Sequence, residues 1–349
     1  MTKNRIAYID FIKTITIFII ITLHNGTWCT DFIGSGSVES MVQYCVRLFC
    51  EGVPVFVLLN GFLLFDKAFD AKKHIKRTIK LLVITVVWSV IMEIYSTLMA
   101  GLPLTFVGVL TSVLETNISN SNTGVLWFLQ KLFVVYLIFP VLKHLYDTNE
   151  KLFNYLLMVV IVSTYSVSFV DMIAGIFNID VLKSLQFFIN QYTLVIGANI
   201  YIVYFMLGGY ICKNMERLPK KKLVIVGGIC AALACAIGIF ASYYKGVTYS
   251  SNYNYSQIFL MFTIVGLFLV CSKIPFNNKF VNKAIALIGD NTMGIYLLHP
   301  MVIVGLNRFQ IPTDSLVMRL GLTLVVFIVS FGITYLIRKI PKLSYLVKL

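Results

Sequence analysis

Asp10, Lys13 and His24 lie in a row within and just after the first apolar stretch, residues 6–23. Eleven residues separate Lys13 from His24. That is almost three turns at about 3.6 residues per turn, so on a helix the two side chains share one face roughly 16 Å apart. Asp10 falls one turn before Lys13. A charge in hydrocarbon costs about 2.5 to more than 10 kcal/mol, so ionisable residues inside a membrane mark a functional path by default. His24, near the outer end of this stretch, can take a proton from a hydroxyl that attacks a thioester, or can itself be acylated. The alternative is an interfacial histidine that only hydrogen-bonds at headgroup level. Lys13 needs a partner at mid-membrane, and Asp10 is placed to be one. The pair can also present positive charge to a phosphate or carbonyl.

The elements that must position these residues are membrane helices. Of 349 residues, 58% are hydrophobic and 13% charged, with a mean hydropathy of +0.86. A soluble domain carries about 25% charge. Apolar runs of the ~20 residues needed to cross a bilayer are expected at 6–24, 44–65, 79–99, 125–145, 152–173, 191–212, 223–243, 257–271, 284–304 and 316–337. The expected fold is therefore all-α: a polytopic bundle of about ten transmembrane helices in a single domain, residues 1–349. Loops take up nearly all the rest, so any chemistry belongs to the bundle. The first run carries a charged stripe and no small-residue cleavage site, which argues against a cleavable signal.

Lys and Arg in the loops give the orientation. With a cytoplasmic N-terminus, the inside segments hold 22 of the 29 basic residues and the outside segments four, namely Lys183, Lys245, Arg308 and Arg319. Lys13, Arg47 and Lys131 fall within spans. Both termini are expected in the cytoplasm, in a multi-pass cell membrane, the bacterial plasma membrane being the expected one. The formal charge of +14 then reflects topology rather than nucleic-acid binding. The seven cysteines show no CxxC spacing and read as small buried hydrophobes. The four histidines lie far apart, so no metal site is expected. No GxSxG element, phosphate loop or dinucleotide fingerprint occurs.

Other candidates cluster by type. Lys73, Arg77 and Lys80 fall on one stripe if the third helix starts early. They can bind the phosphates of coenzyme A, or anchor to anionic lipid. Arg47 and Glu51, four apart near the outer end of the second span, can pair on one helical face. Glu51 can instead orient His24 or a glycan. Tyr296 and His299 fall in the outer half of the ninth span. His299 either lines a cavity with His24 or caps the kink at Pro300. Trp127, Phe128 and Tyr136 either line a substrate groove or belong to an aromatic belt and core.

The opening YIDFIKTITIFIIITLH resembles the first helix of the family 3 membrane acyltransferases: an Asp, an Arg or Lys three residues on, and a His eleven residues after that. Asp10, Lys13 and His24 match it, with Lys where Arg is commoner. VPVFVLLNGFLLF (Val53–Phe65) resembles the family's second helix, with Asn60 in place of the usual Ser. Lys76, Arg77 and Lys80 resemble its basic RxxR-like element. LWFLQKLFVVYLIFP (126–140) and GIYLLHP (294–300) resemble its LWFL…Y…P and IYLxHP helices. The resemblance implies an O-acyltransferase with His24, Lys13 and Asp10 as catalytic group. Lys73, Lys76, Arg77 and Lys80 would hold a cytoplasmic acyl-coenzyme A, with acetyl-coenzyme A the expected donor. Arg47, Glu51, Asn60, Trp127, Tyr136, Tyr296 and His299 would face the acceptor, a hydroxyl of a surface glycan or lipid-linked sugar. The alternative is a glycan exporter or proton-coupled transporter without enzymatic activity, since intramembrane Asp, Lys and His also suit a proton relay.

Overall fold

The structure, a computed structural model, describes residues 6–115, 124–192, 199–249 and 257–348. In chain order the α-helices are α1 Ala7–His24, α2 Phe32–Ser35, α3 Val38–Phe49, α4 Val53–Phe65, α5 Ala71–Met99, α6 Phe106–Glu115, α7 Trp127–Thr148 and α8 Glu150–Phe177. They continue with α9 Asp180–Gln191, α10 Asn199–Asn214, α11 Lys220–Lys245, α12 Ile258–Cys271, α13 Lys279–Asn307, α14 Leu316–Lys339 and α15 Pro341–Ser344. No strand occurs among the described residues. The protein is an all-helical, polytopic membrane protein.

Each of the ten expected spans meets a helix, and eight helical stretches among the described residues are long and apolar enough to cross a bilayer. The other two are shorter: α12 has 14 residues and α10 has 16. Part of the expected span at 191–212 (residues 193–198) lies outside the described residues, as do Lys3 and Arg5. The second span is not one continuous helix. It breaks at residues 50–52, and α4 restarts with Pro54 in its first turn, where a proline lacks no hydrogen bond it would otherwise make.

The chain folds as two compact units, each assembled from non-consecutive segments. One comprises residues 1–27, 69–137 and 275–349. In it α1 packs on α13, and α14 lies against both. Contacts fix the directions. Asp10 abuts Gly289 and His24 abuts His299, so α1 and α13 run parallel. Arg319 reaches Asn25 while Arg338 reaches the Asp290 carbonyl, so α14 runs against them. The start of α1 and the end of α14 therefore lie at one end of this unit, as an even number of crossings requires.

The other unit holds residues 28–68 and 138–274. Its tightest pair is α4 with α10, where Gly61 and Gly208 allow backbone contact. A methyl on Gly61 would collide with the Phe205 carbonyl, and one on Gly208 with the Leu58 carbonyl. Small residues at such crossings are how membrane helices approach closely. The buried ammonium of Lys143 is held by the Phe65 carbonyl at 3.0 Å and by Asp147 at 2.5 Å. All seven cysteines are free thiols.

Candidate active site

In the first unit, α1 carries the polar row as its spacing requires. Asp10 is 4% exposed, and its carboxylate lies 3.5 Å from the Lys13 ammonium. Helix α13 makes room for it with Gly289, where an added methyl would meet the carboxylate oxygen at 2.6 Å. A buried carboxylate is tolerable only when paired, and here the partner is one turn along the same helix.

At the other end of α1, His24 closes the helix and is solvent-exposed. Its ring centroid lies 5.5 Å from that of His299, which is 0% exposed. The cause of His299's orientation is Pro300. Proline has no N–H, so the carbonyl four residues back, that of Tyr296, loses its helical donor. The Nδ1–H of His299 fills the vacancy at 2.6 Å. This fixes the tautomer, because a carbonyl can only accept. In the neutral ring Nε2 is then the acceptor, and it is buried with no hydrogen-bond partner among the described residues. One nitrogen of His299 thus caps the proline kink, and the other is buried without a hydrogen-bond partner among the described residues, on a ring next to that of His24. Tyr296 is buried, donates its hydroxyl to the Val125 carbonyl, and packs edge-on against Phe128 at 5.4 Å.

A third element fixes the chain just beyond His24. Arg319, counted among the outer basic residues, lies in the first turn of α14 and is 0% exposed. Its guanidinium donates to the backbone carbonyls of Asn25 and Thr27, and to that of Thr313 at 3.3 Å. The Asn25 amide answers with bonds to the Arg319 carbonyl and the Thr323 hydroxyl, both 3.3 Å. Gly26, at φ +72°, makes the turn between these two carbonyls; that backbone region suits glycine. Arg319 is the functional candidate that sequence reasoning missed. Its signal was an arginine inside an apolar run, hidden by proximity to the run's end.

The basic group on α5 has a different character. The helix starts early, at Ala71, with the Asp70 carboxylate capping the Lys73 amide at 3.0 Å. Asp70 also pairs with the Lys73 ammonium at 2.9 Å. These bonds, the Lys73 amide first, hold the Asp70 carboxyl below the usual carboxylate range. The Lys73 side chain itself is exposed. Lys76, Arg77 and Lys80 follow on the same stripe. His74 meets the Tyr136 carbonyl at 2.8 Å, and the Tyr136 side chain is buried. Trp127 is partly buried at the start of α7, against Phe128.

In the second unit, Arg47 lies in the last turn of α3 while Glu51 lies in the non-helical link at 50–52. The expected pairing on one helical face is thereby interrupted, because the i, i+4 register needs continuous helix. Glu51 is instead an electrostatic neighbour of Tyr201. Asn60 donates to the Phe56 carbonyl of its own helix at 2.9 Å. No group of three or more metal-ligating side chains occurs among the described residues.

The carboxylate–lysine pair and the histidine pair lie along one candidate membrane helix and its neighbour, and the comparisons identify the class. The acyltransferase 3 family model, described as an acyltransferase domain, matches residues 6–339. The chain belongs to that family. It is also similar, at 22% identity over 97% of this chain and 93% of the relative, to a protein of Staphylococcus epidermidis named "Probable poly-beta-1,6-N-acetyl-D-glucosamine export protein". The same match holds for the protein of strain RP62A. No solved structure matches.

Proposed function

We propose that the protein transfers an acyl group, acetyl first among the candidates, from cytoplasmic acyl-coenzyme A to a hydroxyl of a cell-surface glycan or lipid-linked sugar. The observation that carries the proposal is the His24–His299 pair at the end of the Asp10–Lys13 row, in a chain of the acyltransferase 3 family. His24 is the proposed base. As the sugar oxygen attacks the thioester carbonyl, a C–O bond forms and the hydroxyl proton passes to His24. The C–S bond then breaks, and the proton returns to the leaving thiolate. In the neutral ring His299 accepts at Nε2, so its fitting partner is an N–H of His24, a contact that would hold the His24 imidazole ready for proton transfer. Lys13 places positive charge along the donor's path, with Asp10 holding it in place. Arg77, Lys76 and Lys80 take the donor's phosphates, with Lys as point charges and Arg as the bidentate group. The start of α1 and the basic part of α5 are assigned to the cytoplasmic side of the bacterial plasma membrane, on the 22-to-4 basic asymmetry.

A second reading is glycan export without acyl transfer, favoured by the name of the S. epidermidis relative. The two part on donor dependence. Purified protein in lipid, incubated with radiolabelled acetyl-coenzyme A and extracted envelope glycan, should label the glycan. Glycan movement across vesicles with no labelling would establish the exporter and end the transferase reading.

A further inference from the structure

We propose that the C-terminal tail, residues 341–348, is a built wall of the phosphate site on α5, with Lys348 and Tyr345 completing it. The proposal rests on the donor reading above and adds residues to which no role has been assigned. The tail folds back onto the bundle rather than trailing from it. Val347 is fully buried, and the indole N–H of Trp88 on α5 donates to the Leu346 carbonyl at 2.9 Å. That anchor sets the neighbours of Leu346 against the basic stripe. The Lys80 ammonium sits 4.2 Å from the centre of the Tyr345 ring. Lys348 and Lys76 are the charged neighbours of Lys80. Among the described residues, no carboxylate lies within ion-pair distance of Lys76, Lys80 or Lys348.

Lys80 thus has two like-charged neighbours, one from its own helix and one brought in by the buried tail contact, with no carboxylate at ion-pair distance among the described residues. Like charges gathered in this way repel, and the field they make concentrates anions. Loose attraction to anionic lipid needs only a count of exposed lysines, which Lys72, Lys342 and Lys339 already provide. A fixed arrangement built on a buried anchor fits a ligand carrying several phosphates on one frame. Tyr345, 43% exposed, adds an aromatic surface beside them. The ligand class is a phosphorylated nucleotide portion of the donor, as in coenzyme A.

The test uses the full chain in nanodiscs of neutral phosphatidylcholine, titrated with coenzyme A at low salt. Lys348→Gln, on an exposed side chain, should weaken binding about fivefold, whereas Lys342→Gln, on the same tail outside the cluster, should leave it unchanged. Unchanged coenzyme A affinity in Lys348→Gln overturns the tail proposal while the donor reading stands. The same holds if Lys348→Gln alters only the response to anionic phosphatidylglycerol discs, which would make the tail a lipid anchor. Absence of coenzyme A binding by the unaltered protein overturns the donor reading, and the tail proposal with it.

Discussion

The two ends of the first unit are built on opposite principles. Around His24, almost every polar group is spoken for by a backbone atom. Arg319 binds three carbonyls, His299 binds the Tyr296 carbonyl, and Asn25 binds back to α14. Among the described residues the buried Nε2 of His299 and Nε of Arg319 make no hydrogen bond, and the ring of His24 is exposed beside them. Around Lys80, the cations face one another and solvent, fixed only through helix and tail. The first arrangement suits proton transfer, in which a misplacement of about 1 Å can cost a hundredfold. The second suits multidentate capture of a flexible anion, where each contact contributes modestly and losses are shared. Substitutions at the His24 end should therefore collapse turnover, and those at the basic end should shift donor affinity.

The largest effect after His24 itself is expected at Lys13. Lys13→Met leaves Asp10 buried without its cation and should abolish transfer. Lys13→Arg, which restores the commoner family residue, should keep it; equal loss in both would mean that the ammonium has a role other than its charge. Next comes Arg319. Arg319→Met leaves the buried carbonyl of Asn25 without its donor, at about 1–3 kcal/mol, while that of Thr27, on an exposed residue, can turn to water. Turnover should fall at least about tenfold with little change in the donor constant, and Arg319→Lys should recover part of it. On a His24→Ala background the Arg319 substitution should add no further loss. An additive loss there would make Arg319 a general structural residue, and the contrast between the two ends would weaken.

A smaller effect belongs to the basic end. Arg77→Ala with Lys80→Ala should raise the apparent donor constant about tenfold or more, from about 1.5–3 kcal/mol per charged hydrogen bond discounted for exposure, with acceptor affinity unchanged. A fall in membrane abundance alone would show an anchor. The smallest effect is at Asp70. Its folded-state carboxyl titrates below its unfolded value, so its stabilisation of the α5 start is present above the unfolded value and lost as pH falls through the folded one. Hydrogen exchange of the first turn of α5 should accelerate below about pH 4, and Asp70→Ala should show that fast exchange at neutral pH.

The contrast also explains what could be read from the sequence. The Asp10, Lys13 and His24 row was legible because a helix's period is set by its backbone, so spacing alone places side chains on a face. The early start of α5 at Ala71 entered only as a condition for the basic stripe, because its charged first turns lie ahead of the apolar run. Arg319 was not, because its partners are backbone carbonyls, and no residue type announces a carbonyl acceptor. The break at residues 50–52 had a signal in Gly52 and Pro54, yet the apolar run continued across it and pointed to one helix. His299 was legible only as an alternative, since the sequence shows that Pro300 frees a carbonyl but not which donor takes it.

The most direct measurement of the central claim is turnover of His24→Gln, with acetyl-coenzyme A as donor and extracted envelope glycan as acceptor, on protein shown to insert and to bind donor normally. Glutamine keeps the size and hydrogen bonding of the side chain but is no base in this pH range, and general-base catalysis contributes about 10²–10⁴-fold. The account predicts a loss of at least about a hundredfold, with the donor constant unchanged. Transfer at close to the unaltered rate would make His24 a structural residue and contradict the account.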